Sequence, residues 1–362
     1  MKILIVKMSA LGDVIHALPV LRYIHQLHPE AEIDWVVEDP FAPVLAGHPD
    51  IHEILTVRTK YWRTLPTMTM LGKALKFIRR LRRDHYDVVL DLQGNSKSGL
   101  FTLMSRATKK YGFDRRQVRE WPNLLATNRR VALGEGEHHI AQRALAVARA
   151  AFPGGDSVPQ AGPLHVDEGA RQRIDALFSE HMVKHPVVVF HYGTTWETKL
   201  WHVKCWQELA CRLLDDHGIR PLLTWGNEVE RRAAEAIHAA TAGRAIIWPR
   251  GTLPELVALL AQADIVVGGD TGPIHIAAAV GTSTVSLFRV TDAERNGPAG
   301  EEHRRLQSPL PCAMCLRKQC DQDDQCSRSI GVDEVCSAIG DLLSLPSNDS
   351  KIDERESYAG NH

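Results

Sequence analysis

The opening stretch MKILIVKMSALGDVIHALPVL, Met1 to Leu21, joins an apolar strand to a loop of small residues and then to an amphipathic helix. Residues 2–7 form the strand. The helix begins at about Gly12 and places Ile15, Leu18, Leu21 and Ile24 on one face. Strand followed by helix, repeated outward from this unit, predicts a parallel sheet covered on both faces. Further strands are expected at residues 33–37, 53–57 and 88–92. Between the last two, a helix over residues 71–83 has Leu71, Leu75, Ile78 and Leu81 as its apolar positions, interleaved with Lys73, Lys76, Arg79, Arg80, Arg82 and Arg83.

The segment FPGGDSVPQAG at residues 152–162 is rich in Pro and Gly and follows neither helix nor strand period, which marks it as a linker candidate. Beyond it the alternation resumes, with strands expected at residues 186–191, 220–225, 245–248, 264–268 and 284–288. The chain is therefore read as α/β, with two doubly wound Rossmann-like domains: residues 1–155, a linker over 156–165, and residues 166–345. Residues 346–362 are polar and nearly free of apolar side chains, so a disordered tail is expected there.

The 362 residues are 44% hydrophobic and 24% charged, the usage of an ordinary globular protein, which excludes collagen-like, coiled-coil and wholly disordered chains. Forty-three Lys and Arg against 44 Asp and Glu leave a net charge of −1, too little to hold nucleic acid by phosphate neutralisation. No apolar run approaches the roughly 18 to 20 residues that span a bilayer. Residues 1–6 lack the long apolar region of a signal peptide, so a cytoplasmic location is expected. Seven cysteines suit a reducing compartment better than a disulfide framework.

Two doubly wound domains that face each other bind ligands at the carboxyl ends of their strands. The first such loop, Ser9 to Asp13, lacks GxGxxG, which weakens a nicotinamide-dependent reading. Asp13 falls in the first helical turn, where a carboxylate is favoured by the helix dipole and equally suits a plain helix start. After the strand ending at His191, Thr194 and Thr195 offer hydroxyls and N–H groups and Lys199 offers a point charge, equipment for a diphosphate or for a solvated loop. The turn GGDTGPIH at residues 268–275 runs from a strand into a helix start and reads as an anion site.

Together, MKILIVKMSALGDVIHALPVL, TTWETKLW, WGNEVER at residues 225–231 and GGDTGPIHIAAAVGT resemble the glycosyltransferase family 9 heptosyltransferases of the lipopolysaccharide inner core. The likeness runs from Met1 to about Leu345. The TT-x-x-x-K-x-W form with DTG resembles heptosyltransferase I more than heptosyltransferase II. The resemblance implies a GT-B fold with a central cleft and inverting, metal-free transfer of heptose from ADP-heptose to Kdo of Kdo2-lipid A. It implies Asp13 as general base and Lys199, with Thr194 and Thr195, near the donor diphosphate. The resemblance also implies Glu230 on the nucleotide side and Asp270, Thr271, Gly272 and His275 in the donor loop.

An acceptor with phosphates and Kdo carboxylates calls for local cations, and Arg58, Lys60, Arg63 and Arg119 are the candidates, against a plain solvated basic face. The basic helix over residues 71–83 suits an anionic inner-membrane surface, so peripheral attachment is expected. Cys312, Cys315, Cys320 and Cys326 could close a structural zinc site, but their irregular short spacings favour reduced thiols. No other cofactor is expected. Asp321 and Asp323 form D-x-D by letter alone. Trp121, Trp201 and Trp206 are read as core or interface anchors. The rival readings are transfer to the first heptose, a noncatalytic sugar-nucleotide-binding protein, and an epimerase on the same fold.

Overall fold

The structure is a computed structural model that describes residues 1–155 and 162–344. Its first half carries β1 (Lys2–Val6), β2 (Glu32–Glu38), β3 (Glu53–Val57), β4 (Tyr86–Asp91), β5 (Ala107–Phe113) and β6 (Arg129–Val131). They form one parallel sheet in the order β3-β2-β1-β4-β5-β6. The second half carries β7 (Val188–His191), β8 (Leu222–Leu223), β9 (Ile246–Ile247), β10 (Ile265–Gly269), β11 (Ser283–Phe288) and β12 (His303–Gln307). Its order, β12-β11-β10-β7-β8-β9, is the same winding. In each sheet the winding reverses beside the first strand, between β1 and β4 and between β7 and β10, and the crevice at such a point is where doubly wound folds bind ligands.

β1 shows why the alternation is so legible. Ile3 and Ile5 enter one core and Leu4 and Val6 another, on the opposite face of the sheet, and all four are fully buried. The first core also takes in Val187, Val189 and Ile274, so it is continuous between the two halves. The second core lies under the helices Thr67–Leu81 and Ser96–Met104, which contribute Phe77, Leu81 and Phe101.

Several expectations are corrected. The first helix is two pieces, Leu11–Ile15 and Pro19–Leu27, because Pro19 has no N–H to continue the ladder and instead opens the second piece. Its apolar face is as read: Ile15, Leu18, Leu21 and Ile24 are all buried. The basic helix starts earlier, at Thr67; Phe77 and Leu81 hold it to the sheet, and Leu71 and Leu75 are exposed. Trp201 and Trp206 are core residues, whereas Trp121 is 70% exposed. Strands β5, β6 and β12 went unread because their apolar residues are mixed with Lys109, Lys110, Arg129, Arg130, Arg304 and Arg305. The segment over residues 156–161 of the expected linker, and the tail over 346–362, lie outside the described residues.

Candidate active site

Asp13 stands on the loop after β1, in the first turn of Leu11–Ile15. The loop is fixed from β4. Gln93 Oε1 accepts the backbone N–H groups of Met8 and Ser9 at 3.0 and 3.1 Å. Asp91 in turn accepts from the N–H groups of Gln93 and Gly94 and from Thr102 and Asn123. Gly94 adopts φ +70°, which a side chain would strain. Beside Asp13 lies the buried Lys7 ammonium, 3.8 Å from its carboxylate and bonded to the Leu92 carbonyl at 3.1 Å. Burial pushes Lys7 below its ordinary range, against the opposing pull of Asp13 and Asp91.

Across the cleft, the loops after β7 and β10 meet at one ion pair. Lys199 Nζ lies 2.7 Å from Asp270 Oδ2, donates also to the Asp270 carbonyl, and sits 5.0 Å from the centre of the Trp196 ring. His275 Nε2 is 3.4 Å from the other Asp270 oxygen. Burial disfavours the Asp270 carboxylate, but His275 and Lys199 outweigh it and hold the carboxyl well below the usual range. Lys199 is thus a fixed cation. Thr271 precedes the helix Gly272–Ala279, and two buried polar atoms at this turn, Thr271 Oγ1 and His275 Nδ1, have no hydrogen-bond partner. Orphans of this kind mark places that accept polar ligands. Thr194 is half-buried and its hydroxyl faces the Trp196 N–H, whereas Thr195 is exposed.

Two glycines lock these turns against each other. A Cβ at Gly12 would come within 2.6 Å of the His275 ring, and a Cβ at Gly272 would come within 2.6 Å of the Leu11 side chain. The helix starts that carry Asp13 and the Gly272 N–H groups therefore pack in direct contact, one from each sheet. Around them, His16 is bonded to the Asn296 carbonyl at 3.2 Å, His139 to the Gly297 carbonyl at 2.9 Å, and His138 to Asp292 at 2.9 Å. His16 also stacks 4.4 Å from His275 and 5.2 Å from His139. Burial, then the neighbouring imidazoles His275 and His139, drive His16 well below its ordinary range, so it is neutral at pH 7.

Glu230 lies in the first turn of the helix Glu228–Ala240, just after β8. Its carboxylate accepts from the Gly226 N–H and the Asn227 amide, and packs where a Cβ on Gly193 would otherwise stand. Next to it a cavity of about 250 Å³ opens at the ends of β7, β8 and β9, walled by His191, Trp225, Trp248, Arg250 and Leu256. Sequence reading missed this cavity. β8 and β9 are two residues each, and the signal that could have found it is the run WPRGT at residues 248–252, a strand end followed by Pro, Gly and a helix cap.

The four acceptor candidates are exposed and do not converge. Arg58, Lys60 and Arg63 follow β3, with Arg58 paired to Asp39, and Arg119 follows β5, close enough to depress Lys7. They flank the Asp13 loop from two sides. Arg143, unread from sequence, is half-buried over Phe113, bonded to Gln117, and its charge reaches both Lys7 and Arg295. The cysteines are dispersed in environment, Cys312 and Cys315 exposed, Cys320 half-buried and Cys326 buried, and no three of them come within metal-binding range of one another among the described residues. Asp323 pairs with the buried Arg289 and braces the loop rather than facing the cleft.

Comparison with known proteins agrees with this fold. Lipopolysaccharide heptosyltransferase 1 of Pseudomonas aeruginosa is 36% identical over 322 residues, 88% of this chain and 87% of that one. The solved structure of E. coli heptosyltransferase WaaC with ADP superposes with TM-score 0.76 at 26% identity, covering 94% of this chain and 100% of that one. The same enzyme with ADP-2-deoxy-2-fluoro heptose gives 0.75, covering 94% and 99%. The two sheets are those of the GT-B fold. With the family model matching residues 74–325, the chain belongs to glycosyltransferase family 9, the heptosyltransferases.

Proposed function

We propose that the protein transfers heptose from ADP-heptose to a Kdo hydroxyl of Kdo2-lipid A, as the first heptosyltransferase of the lipopolysaccharide inner core. The observation that carries this reading is the contact of the two helix starts. It sets a carboxylate, Asp13, opposite a fixed cation, Lys199, and the N–H groups at Gly272. The acceptor oxygen attacks the anomeric carbon and its proton passes to Asp13. The bond from that carbon to the β-phosphate oxygen breaks, and its electron pair leaves with ADP. Lys199 and the helix N-terminus stabilise the charge that develops there. Attack from the face opposite the leaving group inverts the anomeric centre.

Donor contacts are assigned to Thr194, Thr195, Lys199, Glu230, Asp270, Thr271, Gly272 and His275, with the nucleoside in the cavity beside Trp225 and Trp248. Acceptor anions are assigned to Arg58, Lys60, Arg63 and Arg119. The two halves act as acceptor and donor domains, and the enzyme works at the cytoplasmic face of the inner membrane. The test is ADP release from ADP-heptose with Kdo2-lipid A, with the already heptosylated acceptor, and with neither. Release with the unheptosylated acceptor alone, lowered about 10²- to 10⁴-fold in Asp13→Asn while ADP affinity holds, supports the reading. Release with the heptosylated acceptor alone moves it to the second transferase. Release with no acceptor points to hydrolysis or epimerase-type chemistry. Excess chelator is expected to leave the rate unchanged.

A further inference from the structure

Two guanidinium groups, one from each half, come together at the seam between the sheets, and neither has an acidic partner in contact. Arg143 stands on the helix Ile140–Ala151, one turn after His139 and on the same face. His139 bonds to the Gly297 carbonyl of the second half, so Arg143 lies where the segment Asp292–Gly297 meets the first half. Arg295 is on that segment, its guanidinium bonded to Asn296 Oδ1 at 2.7 Å. The Asn296 amide reaches Asp270 at 3.5 Å and the Asn296 carbonyl is bonded to His16. Arg295 is thereby tied to the Asp270 turn and to the helix that carries Asp13.

Both side chains are half-buried. Arg143 donates to the Gln117 side chain and carbonyl at 2.9 and 3.3 Å and lies 5.5 Å from the centre of the Phe113 ring, all neutral partners. Phe113 stands 3.1 Å from where a Cβ on Gly94 would be, which places Arg143 at the carboxyl ends of β4 and β5, beside β1. Burial first, and the Arg295 charge second, push Arg143 below its ordinary range, and Glu137 opposes this only from beyond contact. Lys7 feels Arg119 and Arg143 in the same sense. Among the described residues Asp13 is paired with Lys7, whereas Arg119, Arg143 and Arg295 have no carboxylate within ion-pair distance. Like charges gathered out of water destabilise a fold, and such strain is kept where a ligand relieves it. The ligand here is an oxyanion. The proposed reaction sets the accepting hydroxyl against Asp13, and the Kdo unit that bears this hydroxyl also bears a carboxylate, which fits the fork of a guanidinium with two parallel hydrogen bonds.

We propose that Arg143 and Arg295 together bind the carboxylate of the accepting Kdo unit, one guanidinium from each half, so that the acceptor is read by both halves and its charge joins them over Asp13. The second half then selects the acceptor as well as the donor, and an acidic sugar is favoured over a neutral one. The proposal rests on the heptosyltransferase reading for the identity of the anion. Binding to the full chain is measured by calorimetry with ADP present, using a deacylated, water-soluble Kdo acceptor and the same compound with its Kdo carboxyl groups as methyl esters. Wild type is expected to bind the acid about tenfold or more tighter than the ester. Arg143→Gln and Arg295→Gln are each expected to bind the acid only as well as the ester, to bind the ester as wild type does, and to keep the wild-type Kd for ADP. Arg295→Lys, which keeps the charge and loses the fork, recovers only part of the preference. Because it removes a repelling charge and still offers Asn296 a donor, Arg295→Gln without ligand is expected to melt no lower than wild type.

Equal affinity of wild type for acid and ester, or no binding of either, overturns the proposal. Acid and ester weakened alike in both Gln variants also overturns it, because the pair is then a structural brace. A weakened Kd for ADP overturns it too, since the guanidinium groups then serve the diphosphate. If all three proteins bind as expected yet wild type releases no ADP from ADP-heptose with any Kdo acceptor, the heptosyltransferase reading fails and the carboxylate site stands.

Discussion

Gly12 and Gly272 show how little space the candidate site has to spare. Gly12→Ala puts a methyl within 2.6 Å of the His275 ring, so either the imidazole or the Leu11–Ile15 turn must move. Overpacking of this kind costs about 1 to 3 kcal/mol, read as a lowered denaturation midpoint, and turnover falls with it because Asp13 is the next residue. Lys199 is a different case. Lys199→Ala removes the cation that the proposed reaction sets against the leaving group and strands Asp270 beside His275. Turnover is expected to fall about 10²- to 10³-fold, measured by steady-state ADP release. The candidate residues that sequence could single out were those whose chemistry is local: a carboxylate in a first turn, a Lys in a polar loop, a Gly before a helix. Lys7, Gln93 and Arg143 were illegible because their roles come from partners on other strands.

At the scale of elements, the short segment Asp292–Gly297 is held to the first half by three histidines. His139 must be neutral to do so. Its Nδ1 accepts the Ala141 N–H, so the single proton is on Nε2 and is donated to the Gly297 carbonyl. His16 and His139 are both depressed in the fold, first by burial, and burial alone depresses His191 to about 4. Because the unfolded chain takes up these protons first, their stabilising contribution is full above about pH 6.5 and is lost as pH falls towards the folded values. The thermal midpoint is therefore expected to drop between about pH 6.5 and 5, and His139→Gln, which keeps a donor without titrating, flattens that drop. The strand and helix order was legible wherever a strand is buried on both faces, as in β1, β4 and β10. It was not legible in β5, β6 and β12, where Lys and Arg occupy strand positions, whereas β8 and β9 were found within the stretches 220–225 and 245–248 but are only two residues long. Leu71 and Leu75 were legible as apolar positions of a helix, but not their exposure, because periodicity reports a face and not what covers it.

For the whole molecule, a net charge of −1 conceals a strongly basic layer over residues 58–131, and the average excluded nucleic acid without revealing that layer. Attraction between the layer and an anionic acceptor is screened by salt. Raising ionic strength from about 0.01 to 0.15 M shortens the screening length from about 30 to 8 Å and is expected to raise the acceptor KM severalfold with little change in kcat. The two halves repeat one winding order, and this brings both switch points, and with them Asp13 and the Gly272 turn, to a single cleft. The reciprocal fit of Gly12 with His275 and of Leu11 with Gly272 has a consequence for inheritance. Each small residue is matched by a large one on the other half, so neither half can drift alone at these positions. A chimaera that joins the first half of this chain to the second half of a relative should retain turnover when both pairs are kept together, and a chimaera that splits either pair should recover on restoring its missing member.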